Sequence, residues 1–368
     1  MVKRTRHAPS PASSVFALRA WGGVGGGGAF VSFFVCCTPT PNPSPQGEHT
    51  EFPACVSPYA MALSFRGRYT GASFAADPYA IEMAYLQILV NGIVLGALYA
   101  CLAVGFSLVW GVLNVINMLH GSLIILGGYL TFFSWHTFGI NPLISLPVVA
   151  LALYAAGYLI QLLIINPIVK EPVLTTLTLT FGLDLILYNF MTVYYTATPR
   201  RVILDLGTVD LRGIVMPVDR LLAMGLALLL TAILYVVMRG SRIGRAIVAV
   251  RMDRDAAALM GIRVDRIYAI TFGIGALMAG AAGAVFAVVY PITTNLTNTF
   301  LGKAFVVCVI GGLGSVQGAL VGGLVLGIVE SLAGQLVGPQ HALTVGFALM
   351  LVLLVIKPTG LTGIRGYE

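Results

Sequence analysis

The chain has 368 residues, of which 58% are hydrophobic and 10% charged, with a mean hydropathy of +0.92. Water-soluble domains carry about 25% charged residues, so this composition excludes a soluble globular protein and makes the bilayer the solvent for most of the chain. The formal charge of +7 does not point to nucleic acid, because seven of the fifteen Lys and Arg after Met83 fall between Arg239 and Arg266, the signature of one cytoplasmic loop.

Residues 1–82 differ from the remainder. They contain Gly25-Gly26-Gly27-Gly28 and the run Thr38-Pro39-Thr40-Pro41-Asn42-Pro43-Ser44-Pro45, which has too little apolar surface to offset the entropy of ordering. Ala29–Cys37 is too short to span a membrane. The basic start at Lys3, Arg4 and Arg6 makes a poor signal peptide. The stretch is expected to be disordered or a spurious extension, with Met83 as the natural start. From Met83 to Val169 there is no Asp, Glu, Lys or Arg.

From there the chain reads as an all-α polytopic membrane protein, with about 8 transmembrane helices plus a broken or re-entrant segment. Apolar spans are predicted at about 86–112, 119–138, 143–165, 173–195, 221–238 and 267–290, and a last one at 342–356. The segment Lys303–Ala333 is long for one helix and is interrupted by Gly311-Gly312-Leu313-Gly314-Ser315. It reads as a half-helix, a turn and a full helix, an arrangement tolerated at membrane depth only inside protein or beside a cavity. With the 239–266 loop in the cytoplasm, the end near Met83 lies outside. Lys357 lies inside only if 303–333 contributes two passes, or one pass and a re-entrant piece.

The 239–266 loop is more than a connection. Ile243, Ile247 and Val250, then Ala256, Leu259 and Met260, recur at helical spacing. Asp253 or Asp255 can begin a short helix, and Gly261 can end it. Such a helix either lies on the membrane, its arginines on anionic headgroups, or docks into a soluble partner; spacing alone leaves both open.

Polar groups at membrane depth are few. Asn117 and His120, three apart, share a helix face, and Gly121 leaves room beside them. They either line a pathway or pin one broken helix to another. Asp184 and Glu330 are carboxylates in apolar surroundings, with no basic partner evident in the sequence. Cys36, Cys37, Cys55, Cys101 and Cys308 lack metal-ligand spacing, and the last two read as small buried hydrophobes. Glycines at 273, 275, 280 and 283, and at 318, 322, 323 and 327, give two spans small faces for close helix packing.

Asp255-Ala256-Ala257-Ala258-Leu259-Met260-Gly261-Ile262, preceded by Arg254, resembles the E-A-A…G coupling loop of bacterial ABC importer permeases, with Asp in place of Glu. Four further pieces are similar to the high-affinity branched-chain amino acid permease family: Asn91-Gly92 with Gly96-Ala97-Leu98-Tyr99-Ala100, Asn117-Met118-Leu119-His120-Gly121, Arg242-Ile243-Gly244-Arg245-Ala246, and Lys303-Ala304-Phe305 with the Gly311–Ser315 turn and Lys357-Pro358-Thr359-Gly360-Leu361. The resemblance covers about Leu86 to Gly363. It implies a type II ABC importer-like permease in the bacterial inner membrane. Its partners would be a sister permease subunit, two ABC ATPase subunits, a periplasmic substrate-binding protein and an amino-acid substrate. No cofactor is expected. Gly302-Lys303 is followed by Ala304, so the chain carries no phosphate loop of its own. Urea or amides are the alternative cargo; an ion-coupled secondary transporter, or a membrane enzyme or scaffold, are the alternative classes.

Overall fold

The structure, a computed structural model, describes residues 78–169, 171–204, 207–211 and 214–362. The expected N-terminal extension lies outside the described residues up to Pro78, where the first helix begins.

The helices follow in order as α1 (Pro78–Leu113), α2 (His120–Phe138), α3 (Pro142–Ile160, continued by a π-helical turn Gln161–Ile165) and α4 (Val173–Tyr195). A hairpin of β1 (Thr208–Leu211) and β2 (Ile214–Pro217) pairs Val209 with Met216 and leads into α5 (Val218–Gly240). Two short helices follow, α6 (Arg242–Met252) and α7 (Arg254–Leu259), then α8 (Val264–Val289), α9 (Thr297–Gly311), α10 (Val316–Leu336) and α11 (Pro339–Ile356).

Seven of these, α1, α3, α4, α5, α8, α10 and α11, are long and apolar enough to cross a bilayer. That makes seven among the described residues, against the expected count of about eight; α2 and α9, the other two helices of the bundle, do not meet both conditions, and α9 is the interrupted segment. The half-helix starts at Thr297 rather than Lys303. Its fifteen residues rise about 22 Å, short of a hydrocarbon core of about 30 Å. The turn after it needs glycine: Gly312 and Gly314 have φ of 106° and 79°, where a Cβ collides with the backbone.

That turn settles the direction of the last helices. Leu361 N–H donates to Ile310 O at 2.9 Å, and Arg251 Nη1 donates to Gly314 O at 2.7 Å. The chain end after α11, the α9–α10 turn and the arginine-rich loop therefore share one end of the bundle, and 297–336 makes two passes. At the opposite end, Arg200 bridges Ile292 through backbone hydrogen bonds, and Arg201 pairs with Asp219 at 2.7 Å.

The order of α1–α4 is repeated in α8–α11: a long helix, a break and three further helices. Each long helix packs on the third member of the other set, α1 on α10 and α8 on α3. With one pass, α5, between the sets, they run in opposite senses, the inverted-repeat arrangement of many transporters. Both long helices carry G-A-L-x-A, at Gly96–Ala100 and Gly275–Ala279.

Glycine makes these contacts possible. A Cβ on Gly96 would sit 2.7 Å from Leu324 Cα, one on Gly323 2.6 Å from Ala100 N, and one on Gly127 2.6 Å from Gly280 Cα. Backbones thus meet directly, as expected where lipid-exposed apolar side chains gain nothing by clustering.

The two ends of the bundle predict a labelling pattern. Ala197 and Arg263 are exposed at opposite ends, so single cysteines there, in a background without native cysteines, should react with an impermeant maleimide from opposite sides of the membrane. Reaction from the same side would break the assignment.

Candidate functional site

At the inner end, α6 begins under a serine cap: Ser241 Oγ accepts from Gly244 N at 2.9 Å. Ile247 and Val250 are buried, whereas Ile243, expected on the same face, is half exposed. Gly244 lies against the Met238 carbonyl, so α6 turns sharply back on the end of α5.

A single residue, Asp253, separates α6 from α7. Its Oδ1 accepts from Asp255 N and Ala256 N, both at 2.9 Å, so Asp253 is the cap and Asp255 lies in the first turn, where its charge opposes the helix dipole. Arg254, Asp255, Ala256 and Ala258 are exposed, but Ala257 is 4% exposed and faces the body of the protein. The expected small-residue contact face is therefore only partly presented outward. The tip is apolar: Leu259 and Met260 are 90% and 84% exposed. Gly261 follows at φ +84° in open space, with no atom within 4 Å of where a Cβ would be, so only backbone conformation calls for glycine there. Beside α7, a cleft of about 510 Å³ opens between the end of α1 at Asn114, the α3–α4 connection at Glu171, and Arg251, Asp253 and Tyr268.

The polar residues of the bundle interior fall into separate groups. His120 is fully buried at the start of α2, and its Nε2 donates to Leu102 O of α1 at 2.9 Å. Gly121 packs against the Thr297 carbonyl and Leu301 of α9. Asn117 is buried in the break before α2; its Oδ1 and His120 Nδ1 have no hydrogen-bond partner among the described residues. Asp184 accepts from Ser122 Oγ, joining α4 to α2. These contacts tie a short helix to its neighbours on three sides. They do not bring Asp184 together with Asn117 and His120.

Glu330 has a partner that the sequence reading lacked. Lys303 Nζ lies 2.7 Å from Glu330 Oε1, also donates to Tyr99 Oη, and sits 4.5 Å from the centre of the Tyr99 ring. The cluster joins α9, α10 and α1. The signal was there: between Arg266 and Lys357 these two are the only Asp, Glu, Lys or Arg. Their separation of 27 residues across a broken helix hid the pairing.

Residues 88–356 match the family described as the permease component of branched-chain amino acid transport systems. The chain belongs to this family. It is 31% identical to the high-affinity branched-chain amino acid transport system permease protein BraD of Pseudomonas aeruginosa over 294 residues, 76% of this chain and 96% of the relative. It is 31% identical to LivH of Escherichia coli over 296 residues with the same coverage, and 27% identical to a probable LivH of Methanocaldococcus jannaschii, covering 76% of this chain and 92% of the relative. No solved structure matches. The protein is a multi-pass permease of the inner membrane.

The Lys303–Glu330 pair yields a stability test of this permease. Removing one partner of a buried ion pair costs about 3–5 kcal/mol, whereas replacing both can be neutral. Lys303→Met should therefore lower the thermal midpoint in detergent and the membrane yield, and Lys303→Met/Glu330→Gln should restore most of both. A double variant no better than the single one would show that the charges matter beyond their pairing.

Proposed function

We propose that this permease is the transmembrane subunit of an ATP-driven ABC importer for branched-chain or related amino acids. It forms the translocation pathway with a sister permease subunit. It receives substrate from a periplasmic binding protein and is driven by two cytoplasmic ABC ATPases. The chain itself hydrolyses no ATP. The coupling element is α7 with its flanks, Arg254, Asp255, Ala256, Ala257 and Gly261. Asn117, His120, Gly121 and Asp184 hold the broken helix α2 that borders the pathway.

One observation carries this reading: the loop ends in a capped helix whose two largest apolar side chains, Leu259 and Met260, project from the bundle with almost no contact of their own. Exposed apolar side chains at the tip of an ordered helix fit a partner's pocket. The charge of the loop suits the membrane-surface alternative as well, since its seven arginines outnumber Asp253, Asp255 and Asp265, so the exposed apolar tip is what favours docking. A proton-coupled carrier would need a titratable relay. His120, Asp184 and Glu330 are instead bonded to separate partners, Leu102 O, Ser122 and Lys303. The names of the relatives favour branched-chain amino acids over urea or amides.

Leu259→Asp/Met260→Asp should leave the amount of permease in the membrane unchanged. Two lost hot-spot contacts of about 1–2 kcal/mol each weaken docking at least tenfold, so co-purification of the ATPases and uptake of labelled leucine should both collapse. Full uptake with the ATPases still bound would refute docking through this tip. Competition of leucine uptake by isoleucine, valine, urea and short amides in the same assay tests the cargo, and transport of urea in preference to leucine would overturn it.

A further inference from the structure

The permease contains a non-covalent link between the proposed docking element and the broken helix pair. Arg251, in the last turn of α6, reaches 63 positions along the chain to donate through Nη1 to Gly314 O at 2.7 Å. Gly314 is the left-handed residue of the α9–α10 turn. The same turn is held from two other directions, by α1 and by the chain after α11. A Cβ on Gly111, near the end of α1, would lie 2.6 Å from Gly314 Cα. Ser107 Oγ of α1 donates to Ser315 O at 3.3 Å. From the C-terminal side, Thr362 donates through its N–H and Oγ1 to Gly311 O at 3.1 and 2.6 Å.

How would a push on α7 reach the bundle? The covalent continuation into α8 passes through Gly261, where Gly261 N–H donates to Ala258 O at 3.0 Å and Ile262 N–H to Ala257 O at 3.1 Å. On the other side Asp253 alone separates α6 from α7, its N–H donates to Ala249 O at 3.1 Å, and its side chain caps α7. α6 is in turn seated on α1, α5 and α8. A displacement of α7 therefore reaches α8 through the chain and α6 through this junction, and from α6 the residue that takes it onward to the α9–α10 pair is Arg251, two positions before the cap.

We infer that Arg251 is the positioning residue that transmits movement of α7 to the α9–α10 turn, and so to the helices that hold Lys303 and Glu330. This rests on the proposed coupling function. A planar guanidinium suits a strut, since it is always charged and loses little freedom per hydrogen bond. The turn's glycines give it a backbone carbonyl to pull on, with no side chain between.

The test uses the complete transporter, with its sister permease, ATPases and binding protein, in proteoliposomes. ATP hydrolysis and leucine uptake are measured on the same preparation. Arg251→Ala should keep the ATPases bound and retain at least about half of the ATP turnover, while leucine moved per ATP falls about tenfold, the loss of one charge-assisted hydrogen bond of about 1.4 kcal/mol from the coupled step. Arg251→Lys should fall between. If the Ala variant fails to assemble, Arg251→Gln decides, since it keeps helix propensity and polarity but is too short to reach Gly314 O. An unchanged transport-to-hydrolysis ratio in the assembled variant overturns the inference. So does loss of the ATPases along with uptake, which would make Arg251 a docking residue. If the wild-type permease itself binds no ATPase, the failure is that of the proposed function and not of the strut.

Discussion

In lipid, two helices gain nothing by hiding apolar side chains from one another, because the acyl chains are equally apolar. What remains is van der Waals contact and polar pairing, and both reward close approach. In this permease the approach is set by glycine. Gly96, Gly323 and Gly327 seat α1 on α10, and Gly127 and Gly280 seat α2 on α8. The central position of α1 and α8, the crossing of the two repeats, and the depth at which the short helices are held all follow from backbones meeting without side chains between them.

Close packing leaves little room for water, so each polar side chain in the bundle must find its partner in protein. Thr131, Thr231 and Thr271 do so in their own helix, each on the carbonyl four residues back. Others join different helices: His120 to the α1 backbone, Ser122 to Asp184, and Lys303 to Glu330 and Tyr99. These bonds involve α2 and α9. At fifteen residues α9 has less apolar length to hold it in the bilayer, and cross-helix polar contacts fix it instead. A transport protein needs its interrupted helices positioned and yet able to shift, and a few directional bonds meet that need better than a continuous apolar seam.

The inner end of the molecule obeys different physics. There the solvent is water, caps and charges return, and α6–α7 is built like a piece of soluble protein, with Ser241 and Asp253 capping in turn. The feature most out of keeping with water is the Leu259–Met260 tip, 90% and 84% exposed. Force applied at the tip reaches α8 through the chain and, through the Asp253 junction and α6, the turn that Arg251 grips.

Much of this was legible in the residues alone. An uncharged run from Met83 to Val169, the arginines of 239–266 and the Gly311–Ser315 break determine a polytopic helical protein, its inner side and the place where a helix is interrupted, because hydropathy and backbone chemistry are local properties. The Asp253 cap and Gly261 stop were equally local. Tertiary structure decided what depends on partners far along the chain: that Ala257 faces inward while Leu259 faces out, that Glu330 is neutralised by Lys303, that Ile243 leaves the buried face of α6, and that Arg251 holds Gly314. Periodicity identifies a helix and its stripes, but which stripe meets which neighbour is set only when the repeats interlock, and that interlocking joins residues as far as 243 positions apart, as Ser331 and Ile88 are.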